Sequence, residues 1–409
     1  MAIEKPSAAT LALAGAAGAA GVACGLVAWR TLARERRRRQ LMRQCDLPAA
    51  LGEWAIVTGA SAGLGRQLAL QLSLHHGFKV IAVARRLQRL QTLRGEITAS
   101  GGVCEVYSAD LSHIREIEGL LHFISRTVPS YESVGLLVNN AAGASLGLFA
   151  STSPAKHLTI ARIGVEAVLC LTHSILTRMM DQEKGAIVFI GSNAANLPTP
   201  LMSTACGTKM FMRGFVSSLR SELQYICESP VQIMLVEPSS ILTDGWEQFG
   251  LNQHIQSEVD PSAMTCLEAA TSVLKAIEEY AAGVAPSLPP LLSLGMMSWL
   301  PGLLNRWLPL TYQIPLAANS AVRMIHIMAD AAAKTGVQMA GAAGGAGGPH
   351  DTDGGDDMMS DASDEQQRQP HDSGSMAGGQ EEGEQVMWGQ YEIPHLSSWD
   401  QSRLGVNAA

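Results

Sequence analysis

The sequence predicts a doubly wound α/β fold on a parallel sheet, and three observations carry that expectation. Six short apolar runs recur between residues 51 and 245, with stretches between them long enough for crossover helices. Most of these runs are near-continuously apolar, as strands covered by helices on both faces must be. The first leads directly into a glycine-rich turn, Thr58-Gly59-Ala60-Ser61-Ala62-Gly63-Leu64-Gly65, and then into a helical pattern.

Taken in order, the candidate strands are Trp54–Thr58, Lys79–Val83, Val103–Tyr107, Val134–Val138, Ala186–Ile190 and Val231–Val236. Strand, helix and strand in succession make βαβ units, and a run of such units makes one sheet. Residues 50–250 are therefore read as one dinucleotide-binding domain.

The flanks differ in composition. Pro6 to Trp29 holds no charged residue and is followed by Arg30, Arg34, Arg36, Arg37, Arg38, Arg39 and Arg43. As a helix, residues 8–29 reach ~33 Å, about one hydrocarbon core. The arginines favour keeping their side, and the folded domain, in the cytosol. Residues 1–45 are read as a membrane anchor with its basic flank. An organelle transit peptide and a surface helix are the competing readings, because the run is mostly Ala and Gly and the flank is acid-poor.

Tyr280 to Asn305 is a second uncharged run, broken by Pro286, Pro289, Pro290 and Pro301. Prolines argue against one regular helix. Residues 251–340 are read as a substrate-side segment whose apolar part is a re-entrant or interfacial element or a lid, with a plain core element or a second membrane span as the alternatives. From residue 341 to 409 the chain reads as a disordered acidic tail, with no Val, Ile or Leu between Gly341 and Val386.

Charge and cysteines exclude several classes. The net charge is −8, and residues 341–385 carry eleven acidic residues against Arg368, so the rest of the chain is close to neutral. A nucleic-acid partner is not expected without a basic face on the folded part. Seven cysteines, odd in number and without a C-x-x-C, give neither a disulfide framework nor a metal site, and suit a reducing compartment. His75-His76 near a helix end and His173 in an apolar helix read as structural.

The glycine turn between a strand and a helix lets backbone N–H groups approach a phosphate, and the helix end adds partial positive charge. The second strand ends in Ala84-Arg85-Arg86, where an acidic residue would take the ribose 2′-OH of NAD. A guanidinium with no carboxylate to repel the ligand favours a 2′-phosphate, hence NADP(H), with Arg85 the first candidate.

These residues resemble the short-chain dehydrogenase/reductase family, whose core is a Rossmann-type sheet. Thr58, Gly59, Gly63 and Gly65 meet its T-G-x-x-x-G-x-G pattern, with Ser61 and Leu64 inside it. Asp110-Leu111 matches the adenine contact, and Asn139-Asn140-Ala141 the start of N-N-x-G, although Ala142 takes the glycine position. Ser192 matches the catalytic serine, Lys209 the lysine of Y-x-x-x-K, and Pro238 with Thr243 a P-G-x-x-x-T segment in which Ser239 replaces glycine. The resemblance implies cofactor contacts at Gly59, Ser61, Gly63, Leu64, Gly65, Arg85, Asp110, Leu111, Asn139, Lys209 and Thr243. The anchor and the Pro-rich run resemble the membrane-bound branch of very-long-chain 3-oxoacyl-CoA reductases and 17-beta-hydroxysteroid dehydrogenases. That branch implies a lipid-like carbonyl substrate, an endoplasmic-reticulum membrane and a homodimer.

One expected group is missing. The family's tyrosine stands thirteen residues after the serine and four before the lysine, and both counts land on Ala205. The family's asparagine, aligned through Thr172 and Met179, falls on Gly164. A methyl group has no transferable proton, and loss of a general acid costs about 10²–10⁴ in rate. Two functions follow as expectations: an NADP(H)-dependent reductase with impaired turnover, or an NADP(H)-binding protein that acts through partners. Cys206, Ser203 and Thr204 are the weak local substitutes for the phenol.

Overall fold

Trp54, Ile56 and Val57 begin a strand whose side chains go alternately to opposite faces, and here both faces are dry. All five residues of β1 (Trp54–Thr58) are buried, as are all of β4 (Val134–Asn139) and β5 (Ala186–Ile190). The computed structural model describes residues 45–196, 199–243 and 263–294, with most of the helical turns between 29 and 42. The proposed anchor before residue 29, the apolar run beyond Leu294 and the acidic tail lie outside the described residues.

Seven strands form one parallel sheet in the order β3-β2-β1-β4-β5-β6-β9. Besides the three above, these are β2 (Lys79–Ala84), β3 (Cys104–Ser108), β6 (Gln232–Pro238) and β9 (Leu291–Leu294). The two short strands β7 (Ile241–Leu242) and β8 (Met264–Thr265) pair with each other. Strand β3 lies at an edge, so of its residues only Cys104 is buried, and its Glu105 and Tyr107 are tolerated.

Helices cover both faces. On one, α1 (Leu47–Leu51), α2 (Gly63–Leu74), α3 (Leu87–Ala99) and α8 (Cys266–Ala281) pack Leu68, Leu72, Leu93 and Val273 over Ala55 and Val57. On the other, α4 (Ile114–Thr127), α6 (Ala167–Asp181) and α7 (Ser203–Tyr225) pack Leu120, Ile175 and Met212 over Ile56 and Phe189. The continuous helical run Pro154–Asp181, made of α5 (Pro154–Ala161), a π-helical turn and α6, is long and apolar enough to cross a membrane. Its Leu171, Ile175 and Met179 are buried in the core, as in a sheet-covering helix.

The segment after Tyr280 departs from the lid or interfacial reading. Up to Leu294 it supplies β9, which extends the sheet beside β6 with Leu235 opposite Leu291 and Pro238 opposite Leu294. Pro286, Pro289 and Pro290 precede the strand, where they interrupt no ladder, and the Pro290 carbonyl accepts from Leu235 N at 3.3 Å. The expected strand ends also move: β2, β4 and β6 run one or two residues further, toward the crevice where the connections from β1 diverge.

At the top of β6, Glu237 is almost wholly buried and is held by the Arg213 guanidinium of α7. Asn196 donates to the same carboxylate at 3.0 Å and accepts from Arg213. The cluster ties the loop after β5 to α7. Removing one partner strands a buried charge, so Arg213→Leu is expected to cost about 3 kcal/mol in urea unfolding, and Arg213→Leu/Glu237→Leu to recover most of that loss.

Candidate active site

The glycine turn is shaped from the neighbouring strand. Thr58 Oγ1 donates to the Val138 carbonyl at 3.1 Å and accepts from the Asn140 and Ala141 N–H groups at 3.0 Å each. Asn140 Nδ2 then donates to the Thr58 carbonyl at 2.8 Å. The chain passes so close that a Cβ on Gly65 would sit 2.4 Å from Asn140 Nδ2 and 2.5 Å from the Gly59 carbonyl oxygen. Gly59 and Gly63 have φ of +69° and +59°, a region that suits glycine. Gly63 opens α2, and no side chain caps that helix at Ala62. Its first N–H groups face the turn, as phosphate binding needs.

The structure gathers Ser61, Gly63 and Thr243 around an open cavity of about 390 Å³, joined by Arg66 and Cys266. Leu64 and Leu111 are buried beside the turn and after β3. The two arginines after β2 part company. Arg86 donates to Ser61 Oγ at 3.0 Å, whereas Arg85 is exposed with Nη1 3.9 Å from Asp110 Oδ2. Partial burial opposes ionisation of Asp110, but hydrogen bonds from Ser112 N and Oγ outweigh it, with Arg85 assisting, and hold the carboxyl below its ordinary pKa.

The Asn139 side chain points into the interface between sheet and helix. Its side chain is buried and donates to Thr172 Oγ1 on α6 at 3.1 Å, so it braces sheet against helix. Asn140, the next residue, is the one that reaches the glycine turn.

At the end of β5, Ser192 Oγ accepts from Ala194 N at 3.1 Å and caps the short turn Asn193–Ala195. Lys209 Nζ donates to the Ile190 carbonyl at 2.7 Å, which brings the lysine to the strand end that leads into Ser192. Burial pulls its ammonium down to about 8. Ala205 lies one turn earlier on α7 and shares that face. Gly164 lies in the π-helical turn Arg162–Glu166, where an added Cβ would meet Thr208 Cβ at 2.7 Å. Cys206 is buried with its thiol toward the Thr199 carbonyl.

Sequence reasoning missed one pair here. Thr204 Oγ1 lies 2.7 Å from His157 Nδ1, from α7 to α5 across forty-seven positions. No local spacing signals a contact of that kind.

Because its folded pKa of about 8 lies below the ordinary 10.5, Lys209 binds fewer protons folded than unfolded between those values. Stability is therefore expected to rise with pH across that window, by up to about 3 kcal/mol. Lys209→Met is expected to flatten this rise in urea titrations at pH 7.5 to 10.5.

Residues 53–254 match the short chain dehydrogenase family. The chain is 36% identical over 179 residues to a very-long-chain 3-oxoacyl-CoA reductase of Laccaria bicolor, covering 43% of this chain and 52% of that protein. It is 30% identical over 209 residues to 17-beta-hydroxysteroid dehydrogenase type 3 of Mus musculus, covering 47% and 62%. The chain thus spans about half the length of most of these curated relatives. A solved 7beta-hydroxysteroid dehydrogenase superposes with a TM-score of 0.58 at 19% identity, over 66% of this chain and 99% of that one. A short-chain dehydrogenase of Sphingobium yanoikuyae in complex with NADPH gives 0.51 at 24% identity, over 59% and 87%. At those identities the likeness is one of fold. Glycine turn, parallel seven-stranded sheet and matched sequence agree: the domain belongs to the short-chain dehydrogenase/reductase family, on the side of the very-long-chain 3-oxoacyl-CoA reductases and 17-beta-hydroxysteroid dehydrogenases.

Proposed function

We propose that the chain binds NADP(H) and reduces a lipid carbonyl, a 3-oxoacyl thioester or a steroid ketone, slowly and without a phenolic acid. The observation that carries this reading is the pairing of an intact glycine turn and half-buried Lys209 with a methyl group at Ala205. The site residues fit the cofactor: Gly59 and Gly65 keep open a space that side chains would fill, and Arg86 with Ser61 offers donors to a 2′-phosphate.

When bound, NADPH supplies the hydride. Lys209 has two further N–H donors beyond the one given to Ile190, and these suit the hydroxyls of the nicotinamide ribose. Ser192 Oγ is fixed as an acceptor by Ala194 N, which leaves its own proton for the carbonyl oxygen. Nothing at Ala205 can then protonate the developing alkoxide, and a lost general acid costs on the order of 3–5 kcal/mol of barrier. The same two positions, Ala205 and Gly164, favour a second reading in which NADP(H) is held without turnover and partners read the bound state. The N-terminal uncharged run supports a membrane location, and the relatives' lipid substrates support the endoplasmic reticulum as the membrane.

Two measurements test this. Ala205→Tyr restores an acid at the vacant position and is expected to raise NADPH oxidation with long-chain 3-oxoacyl-CoA or a steroid ketone at least about tenfold. No gain in a variant that still quenches NADPH fluorescence leaves only the binding reading. Arg85→Ala and Arg86→Ala are each expected to weaken NADPH more than NADH, and equal weakening removes the 2′-phosphate assignment.

A further inference from the structure

The cavity beside the glycine turn has one wall to which no motif gives a role. Ser61 and Gly63 line it on one side, Arg89 and Thr92 of α3 on the other. Arg89 stands three positions after Arg86, one turn further along the same side of that helix. Arg86 turns its Nε and Nη2 to Ser61 Oγ, at 3.3 and 3.0 Å, which leaves the serine its own proton to give. Several other polar groups of the cavity are committed elsewhere. Arg66 Nη2 lies 2.5 and 2.6 Å from the two carboxylate oxygens of Glu96. Thr92 Oγ1 donates to the Gln88 carbonyl at 3.1 Å, and the Cys266 thiol turns to the Leu242 carbonyl.

The charge on this wall opposes the helix that carries it. No side chain caps α3 at Arg86, and its first turn holds no acidic residue. The unsatisfied N–H groups at a helix start carry partial positive charge, which favours anions there and disfavours cations. Arg86 and Arg89 nevertheless both stand at that end, as like charges at a spacing of three. For the helix alone the arrangement is unfavourable. A phosphate between Ser61 and Arg89 reverses the sign of each of these interactions.

We propose that Arg89 is a specificity-determining residue of the cofactor site, its guanidinium holding the 2′-phosphate of NADP(H) against Ser61; this rests on the NADP(H) reading above. A guanidinium presents two parallel N–H donors to a pair of phosphate oxygens, and an exposed one is reached by the ligand without rearrangement of the core. Arg86 stands behind the serine and orients its hydroxyl. NADH has a hydroxyl in place of that phosphate, brings no charge to the wall and leaves the two arginines opposed. Arg89 therefore acts on the choice between the two cofactors and not on the hold over the part they share.

The test uses the full chain with NADPH, NADH, 2′,5′-ADP and 5′-ADP as probes, read by nicotinamide fluorescence and by competition. Arg89→Gln is expected to weaken NADPH and 2′,5′-ADP at least about tenfold, as loss of a charge-assisted bond implies, and to leave NADH and 5′-ADP within about twofold. Arg89→Lys keeps the charge and recovers part of the loss, whereas Arg89→Glu makes NADH the tighter ligand. Retained NADH binding shows in each variant that the site is folded. Unchanged NADPH affinity in Arg89→Gln, or an equal loss for NADH, overturns the assignment. If the selective loss then appears in Arg86→Ala alone, the 2′-phosphate belongs to Arg86 and the NADP(H) reading stands. A wild type that binds 2′,5′-ADP no better than 5′-ADP overturns the phosphate seat as a whole, and one that binds neither dinucleotide overturns the proposed function itself.

Discussion

The crevice depends on one tie, the Thr58 hydroxyl between the ends of β1 and β4. Past the last ladder pair, the N–H groups of Asn140 and Ala141 have no strand beside them. Thr58 Oγ1 accepts from both and donates to Val138 in turn. A buried polar group left unpaired costs about 1–3 kcal/mol, so pairing the buried Thr58 hydroxyl three ways stabilises the path the chain takes here. That path carries the Asn140 amide onto the Thr58 carbonyl and hard against Gly59 and Gly65. The shape of the phosphate turn is therefore imposed by the fourth strand as much as by its own glycines.

How much of this was legible follows from which forces are local. The six strands were legible because burial on both faces forces near-continuous apolar runs, and Trp54–Thr58 and Ala186–Ile190 fall where they were expected. Strand β9 was not: its approach is proline-rich and only Leu294 of its four residues is buried, so composition spoke for a lid and only pairing with β6 makes it a strand. Asn139 and Asn140 are adjacent and identical in type, and alternation across the strand end sends one into the core and the other to the turn. Arg85 and Arg86 divide in the same way, by side, which a motif does not encode. The Thr204–His157 contact is wholly tertiary.

The two vacant positions are not independent in space. Gly164 faces Thr208 so closely that any side chain there displaces α7 or the threonine, and Thr208 in turn donates to the Ala205 carbonyl at 2.8 Å. Restoring an asparagine at position 164 therefore needs movement at the same helical turn that lacks the phenol. On the proposed reading, the helices leave no room for a side chain at Gly164, while position 205 is half-exposed.

Lys209 shows what the remaining site is built to do. Taking an ammonium out of water is costly, and one bond to the Ile190 carbonyl offsets only part of that cost, which is why its pKa falls to about 8. As a mere space-filler in that turn of α7, an apolar side chain of similar length would be more stable. Polarising a phenol is no longer available to it as a role, because position 205 has none. Ligand hydroxyls are what remain for its other donors. A lysine held at the end of β5, with donors still to place, suits the proposed reading, in which the cofactor is held without a phenol at position 205.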